Sequence, residues 1–202
     1  ETERLILREI EESDFEAIHS YASVPENVKF MAWGPNDEDG TREFIKTCIE
    51  RTKENPRIQY DFAVILKESG KLIGSCGIYL KDNNRQGDLG YILHRDYWKQ
   101  GLMFEAMQGV VDFGFNTLEL LKIDCFCFAE NYGSKRIMEK LGMKYEGEFP
   151  HATYWGEIRF FIDKYKTQPW KLYNQMRNNV GNGGYASFFR WYAQGIVEDL
   201  KT

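Results

Sequence analysis

A mixed α/β sheet with helices on both faces is the fold class that this 202-residue sequence predicts. Three observations carry it. The stretch 87–141 reads strand, glycine turn, apolar helix, strand and second helix, in that order. Ahead of it, two β-branched and aromatic runs, 60–67 and 71–80, flank Glu68-Ser69-Gly70 in the pattern of a hairpin. Behind it, 143–149 and 155–165 read as two further strands. Runs of strands with helices inserted among them give a sheet covered on both sides.

Taken in order, residues 4–8 read as a first strand. Ser13 and Glu16 have the spacing of a capping box, with Ser13 capping a short helix that ends before Pro25. The segment 27–36 carries Phe30, Met31, Trp33 and the Gly34-Pro35 break and reads as an irregular loop. Between 39 and 55, Phe44, Ile45, Cys48 and Ile49 recur at helical spacing, and Pro56 ends that helix. After the hairpin of 60–80, a second turn at 82–87 leads into a strand over 87–94. The turn 95–101 opens a helix from Leu102 to about Leu118. A strand over 122–129 follows, then a helix that stops at Leu141-Gly142. The turn 150–154 joins the last two strands. From residue 177 to 184 the composition is that of a flexible linker. The helix expected after it carries Tyr185, Phe188, Phe189, Trp191 and Tyr192, too aromatic a surface to stay exposed. It either docks on its own domain or packs on a second copy of the chain as a homodimer. The organisation expected is therefore one domain over 1–170 and a helical extension over 171–202.

Composition narrows the function classes. A net charge of −5 and a pI near 5.4 disfavour nucleic acid or a membrane surface as partner, because both call for a basic patch. Cys48, Cys76, Cys125 and Cys127 form no CxxC pair and no zinc spacing, so they read as buried thiols, with no metal expected. No apolar run approaches the ~20 residues of a membrane span and no signal peptide is visible, which leads to a cytoplasmic expectation. The sequence has no Walker motif and no dinucleotide fingerprint.

The chemistry concentrates in 87–141. Strand, glycine turn and helix in succession aim main-chain N–H groups and a helix N-terminus at an anion. Gly101 allows close approach of the backbone there. Asn131 and Ser134 add side-chain donors at the start of the second helix, where either can also serve as a cap.

At these residues the chain resembles the GNAT superfamily of acyl-CoA N-acyltransferases. Tyr97-Trp98-Lys99-Gln100-Gly101-Leu102-Met103-Phe104-Glu105-Ala106 is similar to its pyrophosphate-binding segment. The run from Asn131 through Ser134 to Gly142 resembles a second signature of the branch containing the ribosomal-protein N-terminal acetyltransferases. Trp98, Met103 and Phe104 depart from the residues common in the family. The resemblance covers about 4–170 and implies the GNAT fold: a mostly antiparallel sheet of about seven strands, its two central parallel strands splayed.

It further implies acetyl-CoA as cosubstrate and direct attack of an amine on the thioester. Lys99, Gln100, Gly101, Leu102 and Met103 would then hold the pyrophosphate. Ile92 and Leu93 would offer main-chain donors to the pantetheine arm, and Asn131 a side-chain hydrogen bond. Many relatives carry a tyrosine where this chain has Met138, so Ser134 becomes the donor to the leaving thiolate. Asp88 matches an acidic residue that can serve as base through water; the plainer reading pairs it with Arg85. His94 reads as a turn residue and Glu105 as an acid suited to the helix dipole. Trp33 and Tyr154 would wall the acceptor site, with Trp155 also explained by core packing. The acceptor is a protein N-terminus or a small-molecule amine. The rival reading is a CoA-binding sensor or assembly module of the same fold.

Overall fold

A computed structural model describes residues 1–81, 85–149 and 157–163. The extension expected over 171–202, its boundary at 170, Tyr154, Trp155 and the turns at 82–84 and 150–156 lie outside the described residues.

Seven strands form one sheet: β1 (Leu5–Glu9), β2 (Gln59–Leu66), β3 (Lys71–Leu80), β4 (Gln86–Leu93), β5 (Lys122–Phe128), β6 (Lys144–Phe149) and β7 (Glu157–Asp163). Their spatial order is β1-β2-β3-β4-β5-β7-β6. β4 and β5 are the parallel pair, while the other recorded neighbours are antiparallel. Parallel neighbours need a crossover, and α4 (Leu102–Asn116) supplies it.

The helices cover opposite faces because each has one apolar side. α4 buries Met103, Ala106, Met107 and Val110 against Ile73, Ile78, Leu89 and Ile123, and α5 (Tyr132–Lys140) adds Met138 to the same core. On the other face α1 (Phe15–Ala22) and α3 (Glu38–Arg51) enclose a second, smaller core. It joins Ile18, Tyr21, Ile45 and Cys48 to Ala63, Ile65 and Ile92. Strand alternation explains the split. Along β4, Leu89 and Leu93 enter the α4 core, whereas Ile92 enters the α1–α3 core.

Three local expectations are corrected. The capping box lies on a 3-10 turn, Glu12–Asp14, that leads into α1, and is made by Glu11 and Asp14, not by Ser13 and Glu16. Asp14 is buried and bound by the Arg8 guanidinium through two hydrogen bonds of 2.7 and 2.6 Å, so the carboxylate outcompetes the hydroxyl. The segment 27–36 begins inside a short helix, α2 (Pro25–Val28). Helix α3 starts at an Asp37 cap, whose side chain accepts from Gly40 N at 2.8 Å, and ends at Arg51, five residues before Pro56.

Candidate active site

The central parallel strands stop pairing halfway along. Their ladder runs only from Gln86–Leu89 against Lys122–Cys125. β4 nonetheless keeps pairing with β3 as far as Leu93, and β5 with β7 as far as Phe128. Beyond Leu89 the two strands therefore part and leave a V-shaped cleft within the sheet. Antiparallel strands turn alternate residues' main chains to alternate sides. His94 N–H donates to Ile73 O of β3 at 2.8 Å, so the main chains of Tyr91 and Leu93 face the cleft. Ile92 points the other way, and a Cβ on Gly74 would run into its carbonyl oxygen. Of the two expected arm donors, Leu93 faces the cleft and Ile92 faces β3, with Tyr91 taking its place.

Asn27 fixes the end of β4. It is buried, donates from Nδ2 to Leu93 O at 3.2 Å and accepts Arg95 N–H on Oδ1 at 2.7 Å. The Trp98 indole N–H donates to the same Leu93 oxygen at 2.7 Å. His94 caps the turn that follows, accepting from Asp96 N at 3.2 Å.

That turn delivers the chain to α4 through two residues of positive φ, Lys99 (62°) and Gly101 (77°), the latter at the N-cap. Among the described residues, the main-chain N–H groups of Lys99, Gln100, Gly101, Leu102, Met103 and Phe104 enter no hydrogen bond; Glu105 N–H is the first one used, at 3.1 Å to Gly101 O. Orphan donors at a helix N-terminus reached through positive φ form a cradle for an anion. Arg4 stands beside it, donating to Gln100 O at 3.1 Å and to Glu105 Oε2 at 2.7 Å. Arg4 lies just ahead of β1, and nothing local in the sequence marks its place beside the turn. Burial opposes the charge on Glu105, but hydrogen bonds from the Thr2 hydroxyl and from the main chain and guanidinium of Arg4 outweigh it and hold the carboxyl below its ordinary pKa.

Across the cleft, Asn131 caps α5 by accepting Ser134 N–H at 3.1 Å. Ser134, two residues into the helix, is thereby relieved of the capping role open to it in the sequence. Its buried hydroxyl instead lies 2.6 Å from the Tyr91 hydroxyl. Met138 is fully buried in the core.

The opposite face carries two neighbouring hollows, about 570 and 180 Å³, that share Trp33, Phe44, Asp61, Ser75 and Tyr79 in their walls and together form a cavity. Gly90 and Ile92 of β4 line its inner end. The floor depends on two glycines paired across β3 and β4, Gly77 and Gly90. A Cβ at Gly77 would meet Tyr60 O at 2.6 Å and the Tyr79 hydroxyl at 2.8 Å, and one at Gly90 the Tyr79 ring at 3.0 Å, so both glycines leave room for that ring. The Tyr79 hydroxyl donates to Asp61 Oδ1 at 2.8 Å, and Arg51 binds Oδ2 at 2.9 Å. Burial, and then the Asp61 carboxylate, push the Tyr79 phenol far above its ordinary pKa, so it stays a neutral donor. Trp33, chosen from sequence, lies in this wall; Asp61 and Tyr79 were missed because their strands look like ordinary alternating ones.

Asp88 sits on this same face but does not line the cavity. It forms an ion pair of 2.9 Å with Lys81, which also binds the fully buried Asp124 at 2.8 Å. Asp88 is thus held by a cation just past the C-terminal end of β3, Lys81, as a paired strand carboxylate. His19 is engaged with Thr41 at 2.9 Å on the outer side of the second core. All four cysteines are free and buried. Among the described residues no group of His, Cys, Asp and Glu side chains is placed to hold a metal ion, and no helix is long and apolar enough to cross a membrane.

A profile described as an acetyltransferase (GNAT) domain matches residues 4–144, and the chain belongs to that family. An uncharacterized N-acetyltransferase, p20, of Bacillus licheniformis is 34% identical over 148 residues, spanning 72% of this chain and 82% of its own. The crystal structure of a GNAT-family acetyltransferase from Bacillus anthracis is 31% identical, covers 81% of this chain and 97% of its own, and superposes with a TM-score of 0.72. A Vibrio cholerae spermidine N-acetyltransferase, crystallised with CoA and spermine, shares the fold at 21% identity and a TM-score of 0.69, over 81% of this chain and 97% of its own.

Proposed function

We propose that the protein transfers an acetyl group from acetyl-CoA to a primary amine by direct attack on the thioester. The observation that carries this is the placement of three features along one strand: the ladder from β4 to β5 stops at Leu89, Gly90 and Ile92 line the cavity, and the unbonded N–H donors of 99–104 follow the strand's end.

Bound acetyl-CoA supplies an activated acyl carbon and a thiol leaving group. The residues of the chain do the rest. Gln100, Gly101, Leu102 and Met103 offer main-chain N–H groups to the pyrophosphate, with Lys99 and Arg4 as nearby cations. Leu93 and Tyr91 offer main-chain groups to the arm, and Asn131 has its amide NH₂ beside the same path. Ser134 donates toward the departing sulfur at a helix N-terminus, where negative charge is favoured. The amine enters on the other face against Trp33 and Tyr79. Of the two carboxylates there, the cavity lining favours Asp61 over Asp88 as the group that orients the amine and draws off its proton through water.

Protein N-termini and small amines both fit an open cavity of this size, and the spermidine enzyme offers a first compound class to screen. The test is calorimetric titration with acetyl-CoA, CoA and ATP. Micromolar binding of both CoA species and not of ATP is expected; no CoA binding would overturn the reading. With CoA bound, a thiol-release screen of amines separates the enzyme from a CoA sensor. In that screen Asp61→Asn is expected to lower kcat/KM at least about tenfold, about 1.4 kcal/mol of transition-state stabilisation, while Asp88→Asn changes it less. The reverse order would return the base to Asp88.

A further inference from the structure

Met138, on the helix after the second central strand, is buried and has no proton to give. The only phenol in hydrogen-bond contact with Ser134 among the described residues comes from the other wall of the cleft. Tyr91 rises from β4 on the α4–α5 face, and its hydroxyl lies 2.6 Å from Ser134 Oγ and 3.4 Å from Ser134 O. Its side chain thus spans the cleft from one parted strand to the helix behind the other.

We propose that Tyr91 is a positioning residue for the leaving group: its hydroxyl donates to Ser134 Oγ and thereby turns the Ser134 hydrogen outward, toward the sulfur of CoA. This rests on the reading of the cleft as a CoA site. A serine hydroxyl alone rotates freely and has two acceptor lone pairs. With its oxygen occupied by a phenol donor, its own hydrogen is left for a second acceptor, and the two hydrogen bonds polarise one another. Around the phenol stand the Cys125 and Cys127 thiols of β5 and the Ser134 hydroxyl of α5. Burial among them raises its pKa well above the ordinary value of a phenol, so it remains a protonated donor throughout the neutral range. The step balances without proton transfer from either hydroxyl. The amine nitrogen bonds the acyl carbon, the C–S bond breaks with its electron pair passing to sulfur, the nitrogen sheds one proton through water to Asp61, and Ser134 and Tyr91 keep their hydrogens.

The test reads the thiol of bound CoA, not turnover. The thiolate absorbance of the CoA complex is titrated against pH for the wild type, Tyr91→Phe and Ser134→Ala. In the wild type the bound thiol should titrate below the ~8.5 of a free cysteine thiol. Tyr91→Phe should raise that value by about one unit, a tenfold loss of thiolate stabilisation, with CoA affinity at pH 6 unchanged within about threefold. Ser134→Ala should raise it at least as far. A difluorotyrosine at position 91, a stronger donor that keeps the ring, should lower it further and guards against a packing effect of the Phe variant. If CoA binds and Tyr91→Phe titrates like the wild type, the role of Tyr91 is refuted while the CoA site stands. If the wild type takes up no CoA, the site reading itself falls and this inference with it.

Discussion

Asn27 shows how much of the site hangs on side chains remote from it in sequence. One amide holds both the last carbonyl of β4 and the first N–H of the turn that leads to the cradle. Replacing it by alanine removes both hydrogen bonds, the one to Leu93 O buried, which should cost about 1–3 kcal/mol of stability. Chemical denaturation checks this, and a CoA affinity that falls in parallel would show that the clamp also sets the cleft. Nothing local in the sequence marks Asn27, because its partners lie 66 and 68 positions away. The same holds for Asp61, Tyr79 and Tyr91, each of which looks like one more residue of an alternating strand. Gly101, Asn131, Ser134 and Trp33 were legible since their settings are local: a turn into a helix, a helix cap, and a tryptophan against a Gly-Pro break.

The start of α4 depends on the left-handed conformation of Gly101, φ 77°. An added Cβ there would have only Arg4 Nη2 within 4 Å, at 3.6 Å, so the penalty of Gly101→Ala is conformational and not a clash. It should amount to about 1–2 kcal/mol, a drop of roughly 2–8 °C in Tm by calorimetry. The joint between β1 and α4 is also sensitive to acid. Glu105 is held below its ordinary pKa, so its contribution is fully present above the usual carboxyl range near 4.3 and is lost as pH falls through the folded value. Arg4 is nearly half exposed, which keeps the effect under about 1 kcal/mol. The stability gap between the wild type and Glu105→Gln should accordingly be largest near pH 6 and close as acid is added; a gap independent of pH would contradict the pairing. At this scale the sequence was most informative. Helix and strand periods follow from burial on one side, and every described strand lies within two residues of its expected position. The boundaries that moved did so through competition among caps, as when Asp14, gripped by Arg8, displaced Ser13.

Across the whole molecule, the sheet has two halves, β1 to β4 and β5 to β7-β6, that share a ladder of only four residue pairs. The parallel order and the parting of the strands came from resemblance to a family, since periodicity alone cannot say which strand lies beside which. A chain that fills the cleft would take up the turned-out main-chain groups of Tyr91 and Leu93 and restore continuity from one half to the other. The cosubstrate would then act on the protein as a missing strand acts on a sheet. Amide hydrogen exchange offers a clock for this: in the presence of CoA the amides of Tyr91, Leu93 and the 99–104 turn should slow together, well beyond those of β1 or β6, and the two halves should unfold at a single temperature raised in proportion to the logarithm of CoA concentration.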